Sequence, residues 1–202
     1  MKQFTIYDAN GNYLRNGMCS ADDYPTQAGS TEQIFEGCFF PDQYCLVNGV
    51  PTTKPTQPTP FHDWDKATHT WIANLQQAKE AKKLEITLER NTRLVTPVTY
   101  DNKLLDGDED AKRRIVQKLL EISTATLLEE NPSPMFWRDA NNNIHTWTDV
   151  PTFTLWLQGL VIVLGVRETA VMAASWVHKD AIDALTTVEE VINYNYSTGW
   201  SV

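Results

Sequence analysis

The sequence predicts an α+β chain: a small N-terminal antiparallel β module, a Pro-rich linker, and a mainly helical C-terminal domain that carries a β-hairpin. Three observations lead there. Short apolar-rich runs punctuated by Asn-Gly pairs fill residues 1–50, four prolines crowd residues 51–60, and apolar residues at three- and four-residue spacing dominate from residue 72 onward. The boundaries read from these shifts are 1–50 for a β-rich docking module, 51–71 for a Pro/Thr/Trp linker, 72–93 for a linking helix and 94–202 for a helical domain with its hairpin. With 202 residues, 42% of them hydrophobic and 10% aromatic, the chain can bury a core.

In the N-terminal part, FTIYDANGNYLRNGMC holds two runs on either side of Asn10-Gly11, a pair that tolerates the positive φ of a tight turn. EQIFEGCFF and QYCLVNGV supply two further short strands, the second closing on Asn48-Gly49, and the strand pattern is expected to stop by about Pro51. Pro51, Pro55, Pro58 and Pro60 remove backbone donors and fix φ, so the segment reads as a semi-rigid spacer between two modules. Between residues 72 and 91, IANLQQAKEAKKLEITLERN contains strong helix formers and neither Pro nor Gly. Its apolar positions Leu75, Ala78, Ala81, Leu84 and Leu88 form a narrow stripe, which suits either self-association between copies or a helix lying across its own domain. The sequence leaves both open.

RLVTPVTYDNKLL is strand-like, with Pro97 marking an edge or a strand start. DGDEDAKRRIVQKLLEISTATLLEEN is an amphipathic helix with Ala111, Ile115, Leu119 and Ile122 on one face and Val116 and Leu120 beside them. Asp106, Asp108, Glu109 and Asp110 crowd its start, where the helix dipole favours anions. FWRDANNNIHTWTD reads as a hairpin turning through Asn141, Asn142 and Asn143. Thr148 or Asp149 then caps a long helix from about Thr152 to Leu185, with Pro151 suited to its first turn. Its first half is apolar almost all round and is therefore expected at the centre of the core. Thr186 with Glu189 reads as the capping box of a last short helix through about Tyr194.

Composition narrows the function classes. A net charge of −9, distributed as −3 over residues 1–60, +1 over 61–100 and −7 over 101–202, provides no basic face, so nucleic acid is not an expected partner. Cys19, Cys38 and Cys45 are odd in number and lack a C-x-x-C pair, pointing to reduced thiols rather than a disulfide framework or zinc knuckle. The N-terminus lacks an apolar leader core, and the longest apolar run is interrupted at Gln158, short of the ~20 residues a membrane helix needs, so neither secretion nor membrane insertion is expected. The acidic run Asp106, Asp108, Asp110 begins like a calcium loop, but Ala111 stands where the loop glycine belongs and Gln117 where its last glutamate belongs. His62, Asp63, Asp65 and His69 are ligand types in a short span without a spacing that would converge them on a metal. The serines of NPSPMF and YSTGWS lack a nucleophile elbow, and no phosphate-binding loop or dinucleotide fingerprint occurs. No catalytic residue, cofactor or metal is expected. The seven tryptophans stand out instead: Trp156 and Trp176 are expected in the core. Trp64, Trp71, Trp137, Trp147 and Trp200 fall in turns, hairpins and ends, where large rings either anchor packed loops or serve a candidate interface.

Several segments together resemble an uncharacterised phage and prophage domain family found at the C-terminus of small tail or tail-fibre-associated proteins and of some tail-fibre assembly proteins. They are FHDWDKATHTW with the charged helix after it, LLDGDEDAKRRI, FWRDANNNIHTWTDVPTFTLWL, and DAIDALTTVEEVINYNYSTGW. The resemblance spans roughly residues 61–200, with Asp106, Asp108, Trp137, Asp139, Thr148, Ala184, Thr187 and Trp200 as signposts, and VNGVPTTKP is similar to the end of a short β module that precedes such domains. The triple Asn141 to Asn143 departs from the pattern by lengthening the turn. The resemblance implies a non-enzymatic structural protein of the bacteriophage virion, made in the host cytoplasm and placed in the tail, whose partners are other tail or tail-fibre proteins. Two alternatives are a fibre assembly chaperone not retained in the particle and a receptor-binding tip. The Pro-stiffened spacer favours the structural component, because it suits permanent placement at a fixed distance.

Overall fold

The computed structural model describes residues 1–130 and 134–200. Ser133 and Ser201 lie outside the described residues. The fold is α+β, and the chain divides into two compact units, Met1–Asn74 and Leu75–Val202.

The first unit is built on a three-stranded antiparallel sheet in the order β2-β1-β3, from β1 (Lys2–Asp8), β2 (Tyr13–Cys19) and β3 (Glu32–Glu36). Central β1 carries the buried residues Phe4, Thr5, Ile6 and Tyr7. Two hairpins follow, β4 (Tyr44–Val47) with β5 (Val50–Thr53) and β6 (His62–Asp65) with β7 (Thr70–Ala73). Asn48 and Gly49 adopt φ of 51° and 75°, the paired positive values that a two-residue hairpin turn requires.

The strand pattern does not stop at Pro51. Pro51 pairs opposite Leu46 one step beyond the turn-flanking pair Val47 and Val50, a position where its missing N–H points away from β4. Between β5 and β6 the chain is irregular over residues 54–61, and the hairpin β6–β7 lies beyond it in the same unit. The expected spacer of residues 51–71 therefore belongs inside the first unit, and the division falls at Asn74. Segments of alternating β-favouring residues on both sides of the prolines can pair locally, so the prolines interrupt the strands without ending the unit.

The second unit contains α1 (Leu75–Val95), the hairpin β8 (Val98–Tyr100) with β9 (Lys103–Leu105), α2 (Glu109–Leu127), the hairpin β10 (Phe136–Arg138) with β11 (Ile144–Thr146), α3 (Val150–Ala184) and α4 (Val188–Asn193). The strand-like segment after α1 is thus a complete hairpin, turned by Asp101-Asn102 at φ of 51° and 57°. Asp108 caps α2 by accepting from the Ala111 N–H at 2.7 Å, and Asp149 caps α3 by accepting from the Thr152 N–H at 2.8 Å. For α4 the capping box is Thr187 with Glu190, one residue later than the expected Thr186 with Glu189. Both pairs have the required spacing, and the later one places Val188 and Val191 on the buried side of the helix.

α3 runs through two core clusters. Its first half packs Phe153, Trp156, Leu157, Leu160 and Leu164 with Ile115 and Ile122 of α2, Leu105 and Trp137. Its second half packs Val171, Ala174 and Ile182 with Ile86 of α1 and Trp200. α1 therefore lies across its own domain. Its buried face passes through Ala78 and Ile86, so the stripe expected from spacing splits, with Leu84 and Leu88 facing outward. On α2 the expected face holds at Ala111, Ile115 and Ile122, whereas Val116 and Leu120 beside it are exposed.

Two hairpins share a turn that spacing arguments did not detect, Asp-Ala-Asn-x-Asn at residues 8–12 and 139–143. In each, one aspartate oxygen accepts from the N–H groups two and four residues on, and the other accepts from the side-chain amide of the second asparagine. Gly11 and Asn142 both take positive φ, and backbone bonds close each loop. The triple asparagine is a complete turn, and it sets Trp137 opposite His145.

Candidate interface

The predicted interface tryptophans separate into two environments. In the first unit, Trp64 and Trp71 are direct cross-strand partners with ring centroids 5.2 Å apart at 70°. The Lys54 ammonium lies 4.9 Å from the Trp64 ring centre and 5.9 Å from that of Trp71, and the Trp71 indole N–H donates to the Pro55 carbonyl at 2.8 Å. The Pro55 carbonyl and the Lys54 ammonium thus hold the irregular segment onto the indole rings of the hairpin. The Lys54 pKa is lowered, chiefly because burial disfavours the charged form. A cavity of about 290 Å³ opens here, lined in part by Tyr7, Tyr13, Tyr44, Trp64, Lys54 and His69.

The neighbouring ligand-type residues are engaged in local structure. His62 shares a hydrogen bond with Thr59 at 2.9 Å, Asp63 accepts from Asn74, Asp65 accepts from the Ala67 N–H and the Thr68 hydroxyl, and His69 bonds the Leu46 carbonyl. Among the described residues, no three His, Cys, Asp or Glu side chains come together as a metal site would need.

In the second unit, Trp137 and Trp147 form one aromatic cluster with Phe153 and Trp156, and Trp147 stands 4.6 Å from Trp156 between ring centres. Trp200 is buried against His178 at 5.1 Å, with the Arg93 guanidinium over its ring at 5.1 Å. Trp137 and Trp200 are thus anchors of the unit's own packing, and half-buried Trp147 belongs to the same packing. Trp176 reverses the expectation: it is 59% exposed, on the outward side of α3.

Trp176 belongs to a larger apolar surface. Leu155, Ile162, Val166 and Val177 of α3 are each about two-thirds exposed, so the half of the helix expected at the centre of the core shows one apolar side to solvent. Beside Ile162 and Val166 lies a groove of about 850 Å³, floored by Thr96, Pro97, Val98 and Val163. At its edge Arg167 is buried and donates to the carbonyls of Leu94, Thr96 and Gly107, two of them at the C-terminus of α1. These are carbonyls that a helix end leaves unpaired, and the guanidinium also meets the negative end of the α1 dipole. Burial lowers its pKa. What this surface can do chemically is exclude water against a partner; its polar groups hold the backbone in place.

Neither the curated proteins nor the solved structures provide a match to this chain. A family model does, over residues 77–198, from just inside α1 to the segment that packs around His178. That span is more than half of the chain and takes in every helix of the second unit, and on it the chain belongs to the family described as a domain of unknown function, DUF4376.

Proposed function

We propose that this chain is a non-enzymatic structural protein of a bacteriophage tail or tail fibre, docking neighbouring tail or fibre subunits in the virion. The observation that carries this is the use made of the residues behind the phage-domain resemblance. Asp108 and Thr187 cap helices, Asp139 organises a hairpin turn, and Trp137 and Trp200 anchor cores. Each builds a rigid scaffold, while the surface left outward is apolar along α3. A scaffold with outward apolar faces is suited to being gripped by other proteins. In the first unit, the Trp64–Trp71 pair and its cavity supply a second docking feature.

Mass spectrometry of purified particles tests the proposal. The chain is expected in mature virions at a fixed copy number, and deletion of its gene is expected to leave fibres folded but particles incomplete. Absence from the particle together with misfolded fibres would instead identify an assembly chaperone.

A further inference from the structure

We propose that the outer face of α3 is a seam between copies of this chain. Leu155, Ile162, Val166, Thr169, Ala173 and Trp176 are all exposed and recur at intervals of seven, four, three, four and three residues. A heptad step followed by alternating fours and threes over two further heptads is the spacing that keeps one side of a helix in register with an identical partner helix, knobs of one entering holes of the other. None of the six carries a charge. Two chains of net charge −9 can therefore meet along this line without placing like charges in contact.

The area fits the same occupant. Leu155, Ile162, Val166 and Val177 are 66 to 67% exposed and Trp176 59%. With roughly 60–120 Å² of removable surface per aliphatic side chain and roughly 150–250 Å² per tryptophan, these residues present roughly 250–450 Å² of apolar area. A stable interface buries about 800 Å² per partner, a little over half of it apolar. One α3 face supplies most of that apolar share. The groove beside Ile162 and Val166 adds a recess into which side chains of the facing copy can fit. Pairing through α1, which its sequence spacing suggested, lacks this continuity because Ala78, within that stripe, is buried in the unit. The inference stands on the second unit alone and does not depend on a place in a phage tail.

A bilayer is the competing occupant, since α3 is long and apolar enough to cross one and only 28% of its most apolar stretch is buried. Sedimentation equilibrium of the full chain separates the two. The wild type is expected to sediment with the mass of at least two chains, and Ile162→Glu with Val166→Glu to reduce this to one chain while the helical circular dichroism signal is retained. Leu120→Glu, on an equally exposed position of α2, is expected to leave the mass unchanged. Should the double variant lose its helical signal, Ala173→Arg serves in its place, with the same loss of mass expected. A wild type that is monomeric at micromolar concentration overturns the seam, as does an assembly that survives these substitutions. A chain that is monomeric in buffer but pellets with phosphatidylcholine–phosphatidylglycerol vesicles overturns it in favour of the bilayer.

Discussion

Replacing Arg167 by Met tests how the second unit is held together. Arg167 is 5% exposed, and its guanidinium serves the carbonyls of Leu94, Thr96 and Gly107, with no carboxylate among the described residues forming an ion pair with it. Methionine keeps the length of the stem but leaves three acceptors unpaired. Each charge-assisted bond contributes about 1.5–3 kcal/mol, offset by the cost of keeping a guanidinium out of water. The lowered pKa of Arg167 shows that this cost is present. A net loss of about 3 kcal/mol follows, the scale expected when buried acceptors lose their donor and are left unpaired. For a unit of this size that is a fall of about 10 °C in melting temperature. The helical circular dichroism signal reports this unit specifically, because the first unit contains only the 3-10 helix Tyr24–Thr26. Arg167→Lys, which retains charge without the planar fork, should fall between the two. A Met variant as stable as the wild type, or more so, would refute the role given to the guanidinium.

Gly159→Ala should cost about 1–3 kcal/mol by overpacking, since an added Cβ would overlap the Tyr100 hydroxyl, and Tyr100→Phe should recover part of that loss in thermal melts. Hydrogen bonds from His145, then from Asn143 and Asn141, hold the Asp139 carboxyl down to about 2. A depressed folded-state value means that its contribution is complete above the unfolded value near pH ~4 and is lost as pH falls toward 2. Asp8, Asp65, Asp149 and Glu190 are lowered in the same direction. Melting temperature should therefore drop between about pH 4 and pH 2, less steeply in Asp139→Asn; an identical slope in that variant would remove Asp139 from the explanation. Leu160→Asp buries an unpaired charge in the α3 core and should abolish the cooperative helical transition, whereas Thr56→Ala on the exposed Pro-rich segment should change stability by less than ~0.5 kcal/mol.

What could be read from the sequence follows from how local each signal is. Helix α2 with its Asp108 cap, the Pro151 start of α3 and the Asn48-Gly49 turn depend on residues within a few positions of each other, and they lie where their residue types place them. The last capping box, expected at Thr186 with Glu189, lies one residue later at Thr187 with Glu190, because only the burial of Val188 and Val191 chooses between two equal spacings. Proline in a strand misled for a related reason. Pro51 breaks a central strand but not a two-stranded ribbon, and nothing local says how many neighbours a strand will have. The candidate interface was least legible. Trp137, Trp147 and Trp200 sit in irregular sequence yet turn inward, while Trp176 sits in an apolar helix and turns outward.

That last reversal has a geometric cause. A helix apolar on every side must be covered on every side to be central, and α3, at 35 residues, extends roughly 50 Å. The second unit supplies α2 beside one half and α1, on which six-residue α4 packs, beside the other half. Each half of α3 thus has one long helical neighbour, together with short hairpins and the C-terminal segment. Leu160 and Leu164 face those neighbours and are buried; Leu155, Ile162 and Val166 lie about half a turn away and are about two-thirds exposed. Periodicity cannot distinguish these two sides because both are apolar. Comparing the surface that needs covering with the elements available to cover it can: a helix that is apolar all round, in a unit with too few helices to enclose it, carries an unfilled contact surface. By that reasoning the apolar first half of α3 marks a core that is completed from outside the chain, and the charge-free stripe at three-and-four spacing shows along which line that completion runs.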